Sequence, residues 1–272
     1  MTLTNPEDST AAPRPAPLWR QVAVPTEHGG WSLSAEPVVL GLLVAWSWPG
    51  LALGIAAMLG FVARTPMKVV LVDRWRSRWL ARSRVAARIV AVELTMIVVL
   101  AVGAAAGASN GWFWVPLAAA LPLVGLELWF DTRSRSRRLV PELAGGVGIG
   151  SVVAAIALVA GESAALAVGL WVVISARAAT AIPYARTMVF RAHGRPVTRW
   201  HSDLAQVVAA AAVGAAWLAG AIPLAPVAAV TAIAGFNVLA VRGPVKRAVV
   251  IGVQQMIFGI VVVAVTAIAV LA

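Results

Sequence analysis

Nine long apolar runs, separated by short polar stretches, constrain this chain more than any other feature. They cover roughly residues 32–48, 50–66, 86–107, 112–130, 140–160, 164–183, 203–220, 222–240 and 248–271. At about 1.5 Å of rise per helical residue, runs of this length approach the ~30 Å hydrocarbon core of a bilayer. They show no alternation of apolar and polar residues, which argues against the strands of a barrel. Backbone groups in lipid must then be satisfied within each segment, as only a helix does. The predicted fold is an all-α polytopic membrane protein of about nine transmembrane helices. A chain of 272 residues that is 61% hydrophobic and 12% charged has too little polar surface for a soluble domain. Trp46-Ser47-Trp48-Pro49-Gly50 marks the first break between runs, and Pro223 and Pro226 mark the one before the eighth.

The charges order these segments. Arg14 and Arg20 precede the first run. Arg64, Lys68, Arg74, Arg76, Arg78, Arg82, Arg84 and Arg88 surround the break after the second. Arg133, Arg135, Arg137 and Arg138 follow the fourth, Arg186, Arg191, Arg195 and Arg199 the sixth, and Arg242, Lys246 and Arg247 the eighth. These are 21 of the 22 basic residues, and the remaining one, Arg177, lies inside the sixth run. The positive-inside rule therefore predicts a cytoplasmic N-terminus and, with nine spans, an external C-terminus. It also accounts for the net charge of +11 without nucleic acid as a partner. The two longest loops, after the second and sixth runs, are expected on the cytoplasmic side, where the working face should lie. Residues 1–24, rich in proline and alanine, are expected to form a disordered cytoplasmic tail rather than a signal peptide, and 25–272 the membrane domain.

No cysteine is present, which removes thiolate, disulfide and iron–sulfur chemistry. His28, His193 and His201 are scattered, and neither a metal nor another cofactor is expected. Ala63-Arg64-Thr65 and Ala185-Arg186-Thr187 recur at equivalent places, after the second and sixth runs. Repeated membrane folds often put their site where the repeats meet. Chance recurrence in an Ala- and Arg-rich chain is the competing explanation.

The stretch from Pro25 to Pro37 holds the densest group of candidates. Glu27 and His28 suit proton handling, because histidine titrates near neutrality and a carboxylate tunes it. An interfacial helix cap with Trp31 as anchor is the simpler explanation. Glu36 lies two turns beyond His28, inside the apolar run. Glu127 and Asp131 share a helix face with Arg135. Such carboxylates either line a wet cavity or form an intramembrane ion pair, for which Glu93 or Glu127 with Arg177 is the expected pairing. Arg64, Arg186 and Arg247 stand at helix ends, where anchoring explains each one. As a set they suit an anionic head group, since guanidinium forks match phosphate oxygens. Thr65, Thr187 and Tyr184 flank them, with Tyr184 on the face of Arg177. Arg199 and Asp203, four apart, are expected to pair. The glycines of 144–150 suit close helix packing rather than a phosphate loop, since no strand precedes them.

Pro25-Thr-Glu-His-Gly-Gly-Trp31 before an apolar run resembles the signature of the YwiC-like family of bacterial membrane proteins, with Gly30 where the family pattern has alanine. Ala63-Arg64-Thr65-Pro66, Tyr184-Ala-Arg186-Thr187 and residues 245–252 are similar to family positions, and the likeness runs from about residue 24 onward. It implies a multi-pass protein of the bacterial cytoplasmic membrane and carries no reaction with it. More distantly, Phe130–Gly145 and the loop layout resemble the UbiA prenyltransferase superfamily, which implies a UbiA-like bundle of nine helices. That superfamily places aspartate-rich motifs after its second and sixth helices. Here Arg64-Thr65 and Arg186-Thr187 stand there, with Asp73 and Asp203 as lone carboxylates, too few oxygens for two Mg²⁺ on a diphosphate. The leading expectation is a cytoplasmic-side intramembrane cavity that takes an anionic or lipidic substrate, with membrane lipids or a phosphorylated ligand as partner. Glu27, His28, Glu36, Arg64, Thr65, Glu127, Asp131, Tyr184, Arg186, Thr187 and Arg247 would line it. A transferase derived from the prenyltransferase layout, a proton-coupled transporter of a small anion and a non-catalytic assembly protein are the classes that compete.

Overall fold

The structure, a computed structural model, describes residues 17–23, 28–133 and 138–272. After a single-turn helix α1 (Leu18–Ala23) come nine long helices: α2 (His28–Val44), α3 (Trp48–Trp75), α4 (Ala81–Ala106), α5 (Trp114–Thr132), α6 (Leu139–Ala160), α7 (Ala164–Ala192), α8 (Trp200–Leu218), α9 (Leu224–Ala240) and α10 (Ala248–Leu271). Each apolar run becomes one of the nine, and no strand occurs among the described residues. By length and composition, α3, α4, α5, α6, α7 and α10 are long and apolar enough to cross a membrane. At 17 residues, α2 and α9 reach only about 26 Å. The protein is thus an all-helical polytopic membrane bundle.

The helix starts follow local chemistry. Ser47, in extended conformation, caps α3 by accepting from the Gly50 amide at 3.0 Å, with Pro49 in the first turn. Ser163 caps α7 through the Leu166 amide at 3.2 Å. The helix ends departed from expectation. α3 runs past Pro66 to Trp75, and α7 past Pro183 to Ala192. The expected long loops after the second and sixth runs are therefore largely helix, leaving connections of 76–80 and 193–199. Lysine, arginine and methionine sustain a helix as well as leucine does, so the loss of apolarity ended the membrane run but not the helix. Proline within a membrane helix is tolerated when neighbouring groups satisfy the backbone it frees.

Helix α6 is the hub and packs on α2, α3, α5 and α7. Residues 151–159 of α6 are all buried, mostly Val and Ala, and they nucleate the main core with Leu40, Leu53, Leu170 and Ile174. Small side chains let these backbones approach closely, the usual basis of helix association in lipid. A second core joins α7 to α8, α9 and α10 through Val173, Ala209, Val213, Val230, Ile233 and Val262. By contrast, among the described residues α4 packs mainly on α3 and α1, and its exposed Val92, Leu94, Met96, Val98, Val99 and Val102 make a lipid-facing surface. Thus α2 and α7 both contact the hub and also reach α10, which positions them around the site.

Candidate functional site: a buried polar network around Arg177

Arg177 lies near the middle of α7 and is 2% exposed. A guanidinium inside a membrane bundle must find partners or carry a large desolvation cost. Its Nη2 approaches Glu36 Oε1 of α2 at 3.5 Å and also donates to the Gln255 carbonyl of α10, while Nη1 donates to Gln255 Oε1 at 3.2 Å. Its Nε has no hydrogen-bond partner among the described residues. Ser32 Oγ, one turn before Glu36, donates to Glu36 Oε1 at 2.9 Å. Gly259 of α10 makes room for this carboxylate, since a Cβ there would overlap Glu36 Oε1.

Hydrogen bonds continue from this pair toward one end of the bundle. Gln255 Nε2 donates to Asn237 Oδ1 at 3.4 Å, and Asn237 Nδ2 donates to the Thr180 carbonyl at 3.2 Å. Gln206 Nε2 donates to the same carbonyl at 3.0 Å, and Thr180 Oγ1 donates to the Arg177 carbonyl at 2.8 Å. Gln206 Oε1 and Ser202 Oγ, one turn apart on α8, are buried without partners among the described residues. Glu36 is eight residues into α2 and Gln255 seven into α10, about 10–12 Å from those helix ends. Asn237 and Ser202 lie within a turn of the ends of α9 and α8. The network therefore enters from the end where the basic connections gather.

Closer to that end lies a second polar cluster. Arg64 Nε and Nη2 donate to Asp131 Oδ2 and Oδ1 at 2.9 and 3.3 Å, and its Nη1 is 2.9 Å from Glu127 Oε1. Lys68 Nζ is 3.6 Å from Asp131 Oδ1, and Asp131 is fully buried. Glu127 rests on Gly145 of α6, where a Cβ would come 2.5 Å from its Oε1. One turn earlier on α6, Glu142 is 3.4 Å from Arg186 Nη1 of α7. Glu127 and Asp131 thus share a face as their spacing required, and the like charges of Arg64 and Arg186 are each met by carboxylates.

The remaining candidates separate. Tyr184 is fully buried against Met188, Val241 and Ile251, and its hydroxyl accepts from Gln254 Nε2 at 3.4 Å. Lys246 donates to the same Gln254 at 3.1 Å. Thr187 is buried and Thr65 half-buried, on the turns that carry Arg186 and Arg64. Arg247 is exposed where α10 begins, apart from the buried network. Glu27 lies outside the described residues. Of His28 only the backbone is described, at the start of α2, so the helical register that separates it from Glu36 by two turns is present.

Two expected pairings are corrected. Arg177 pairs with Glu36, not with Glu93 or Glu127: Glu127 belongs to Arg64, and Glu93 lies on peripheral α4. Asp203 pairs with Arg242 of the α9–α10 connection at 2.8–3.0 Å, rather than with Arg199, because the packing of α8 on α9 brings a forked guanidinium to it. Asp73, the other lone carboxylate, is held by Arg82 at 2.8 and 3.1 Å. Sequence reasoning missed Ser32, Thr180, Gln206, Asn237, Gln255 and Gly259. The available signal was the amides inside otherwise apolar runs, at 206, 237, 254 and 255. Two surface hollows, of about 410 Å³ beside Ser163, Ala221 and Val270 and about 310 Å³ between α6, α7 and α8 beside Trp171, are lined by none of the candidates.

No curated protein and no solved structure matches the chain, so the UbiA likeness gains no support from either. A family model described as YwiC-like protein matches residues 24–157. The match takes in the Pro25–Trp31 signature, Glu36, Arg64 and the Glu127–Asp131 cluster, and ends inside α6, ahead of Arg177 and Tyr184. Through the part of the chain that carries that signature, just under half of its length, this membrane protein is similar to the YwiC-like family.

Proposed function

We propose that this protein binds a small anion, or the anionic head of a lipid, within the membrane where α2, α7 and α10 meet. One observation carries the reading. Arg177 is buried with its Nε unmatched among the described residues, and its contact with Glu36 stands at 3.5 Å, long for the hydrogen bond of an ion pair. A buried guanidinium with spare donor capacity suits an oxyanion, because its fork matches two oxygens at once. Glu36 would hold Arg177 when no anion is present, and Gly259 leaves the carboxylate room beside it. Arginine-rich helix ends would gather anions at the entrance, and the charge asymmetry supports a cytoplasmic side for it. Arg64 and Arg186, braced by carboxylates, would shape that entrance. Transfer chemistry of the prenyltransferase kind is left aside, since Asp73 and Asp203 are both engaged by arginines.

The test is anion binding to the purified protein in nanodiscs, with inorganic phosphate and diphosphate as probes and native mass spectrometry for any lipid that co-purifies. Arg177→Lys keeps the charge and removes the fork, so binding should fall at least tenfold. Glu36→Gln removes the competing carboxylate, so binding should tighten. Unchanged binding in both variants would refute the assignment. A second reading, transport of the anion coupled to protons, is supported by the chain of hydrogen bonds from Gln206 and Asn237 through Gln255 and Arg177 to Glu36. Proteoliposome flux of phosphate driven by a pH gradient separates it from simple binding.

A further inference from the structure

The turn between α3 and α4, with its flanks, carries the largest group of arginines of the basic connections. Residues 74–88 carry Arg74, Arg76, Arg78, Arg82, Arg84 and Arg88 with no acidic residue among them. Beside them lies Asp73, which is 2% exposed and takes two hydrogen bonds from Arg82 and one from Ser83 Oγ at 2.7 Å. Its carbonyl accepts from the Arg78 amide at 2.8 Å, and Ser77 takes the left-handed conformation, φ +53°, that closes the turn. Asp73 thus uses Arg82 as an internal brace, and Arg74, Arg78, Arg84 and Arg88 are exposed on the outside. Trp75 and Trp79 stand among them, each more than half exposed. Helix α1 packs on α3 and α4 and brings exposed Trp19 and Arg20.

We infer that this turn is a preorganised binding surface for the headgroups of anionic phospholipids in the leaflet at that end of the bundle. Arginine forks meet the phosphates, and the amphipathic indoles seat at headgroup level. Cationic residues at a membrane surface gain from anionic lipid individually, and a rigid turn removes the cost of gathering them. The site is separate from Arg177 and stands whatever that residue binds.

The experiment uses the full-length protein in nanodiscs of equal phosphatidylglycerol and phosphatidylcholine, extracted gently, with retained lipids counted by native mass spectrometry. The wild type should retain phosphatidylglycerol in preference to phosphatidylcholine. Replacing Arg74, Arg78 and Arg84 by Gln should abolish the preference, by up to about fivefold per arginine. Arg195→Gln with Arg199→Gln, in the α7–α8 connection, should leave it intact. Asp73→Asn decides the point. It raises the net charge, so simple attraction predicts more phosphatidylglycerol, whereas a braced site predicts less. Trp75→Ala with Trp79→Ala keeps the brace and should shorten retention of the anionic lipid, which preserves the test where Asp73→Asn fails to fold. Equal loss per arginine from both connections, or a gain in Asp73→Asn, overturns the inference. So does displacement by inorganic phosphate beyond that by chloride at matched ionic strength.

Discussion

Arg177→Met should destabilise the bundle far more than removal of both members of its ion pair. The single change leaves Glu36, 7% exposed, with Ser32 as its remaining hydrogen-bond partner, and takes the Arg177 donors from the Gln255 carbonyl and side-chain oxygen. Breaking a buried pair from one side costs about 3–5 kcal/mol. At roughly 2–4 °C per kcal/mol for a chain of this size, the melting temperature should fall by about 6–20 °C. Adding Glu36→Leu removes the stranded carboxylate and fills its place beside Gly259 with apolar volume. Exchanging a whole buried pair for apolar residues is often neutral or stabilising, so the double variant should recover most of the loss. The assay is thermal unfolding in one detergent, followed by tryptophan fluorescence and by monodispersity, for the wild type, both single variants and the double. If the double variant loses the sum of the single losses, the two side chains act independently and the ion pair is not what holds them.

Further outcomes follow from the same contacts. Gly259→Ala should destabilise more than Gly145→Ala, because buried Glu36 has nowhere to move while Glu127, 15% exposed, can swing toward the surface; equal melting losses would contradict this. Asp203→Asn removes an ion pair whose members are 29% and 46% exposed and should cost about 0–1 kcal/mol, whereas Asp73→Asn unsettles a buried carboxylate with three hydrogen bonds and should cost several-fold more. Arg64→Lys should weaken the tie between α3 and α5, since an ammonium cannot serve Glu127 and both Asp131 oxygens together, and limited proteolysis near 133–138 should quicken. A reporter fused after Ala272 should be active only if it works outside the cell, and cytoplasmic activity would mean that the number of crossings is even.

The nine long helices were readable in the sequence because their cause is local. A run of about 20 apolar residues in lipid must close its own hydrogen bonds, whatever its neighbours are. The gathering of arginines at alternate connections was readable for the same reason, as was the shared face of Glu127 and Asp131, set by a spacing of four. Where a helix ends was already less legible. Pro66 and Pro183 look like stops, yet α3 and α7 continue through them, because packing against neighbours outweighs a local preference. What only the tertiary structure decided is which charges meet. Glu36 and Arg177 are 141 residues apart, and nothing in the spacing favours Glu36 over Glu93 or Glu127. The choice is made by the contact of α2 with α7 and α10, and by the glycine at 259 that leaves space for a carboxylate. The amides of Gln206, Asn237 and Gln255 likewise become a network only when four helices bring them to one place. In lipid the position of a helix is local chemistry, but the partner of a buried charge is a property of the whole bundle.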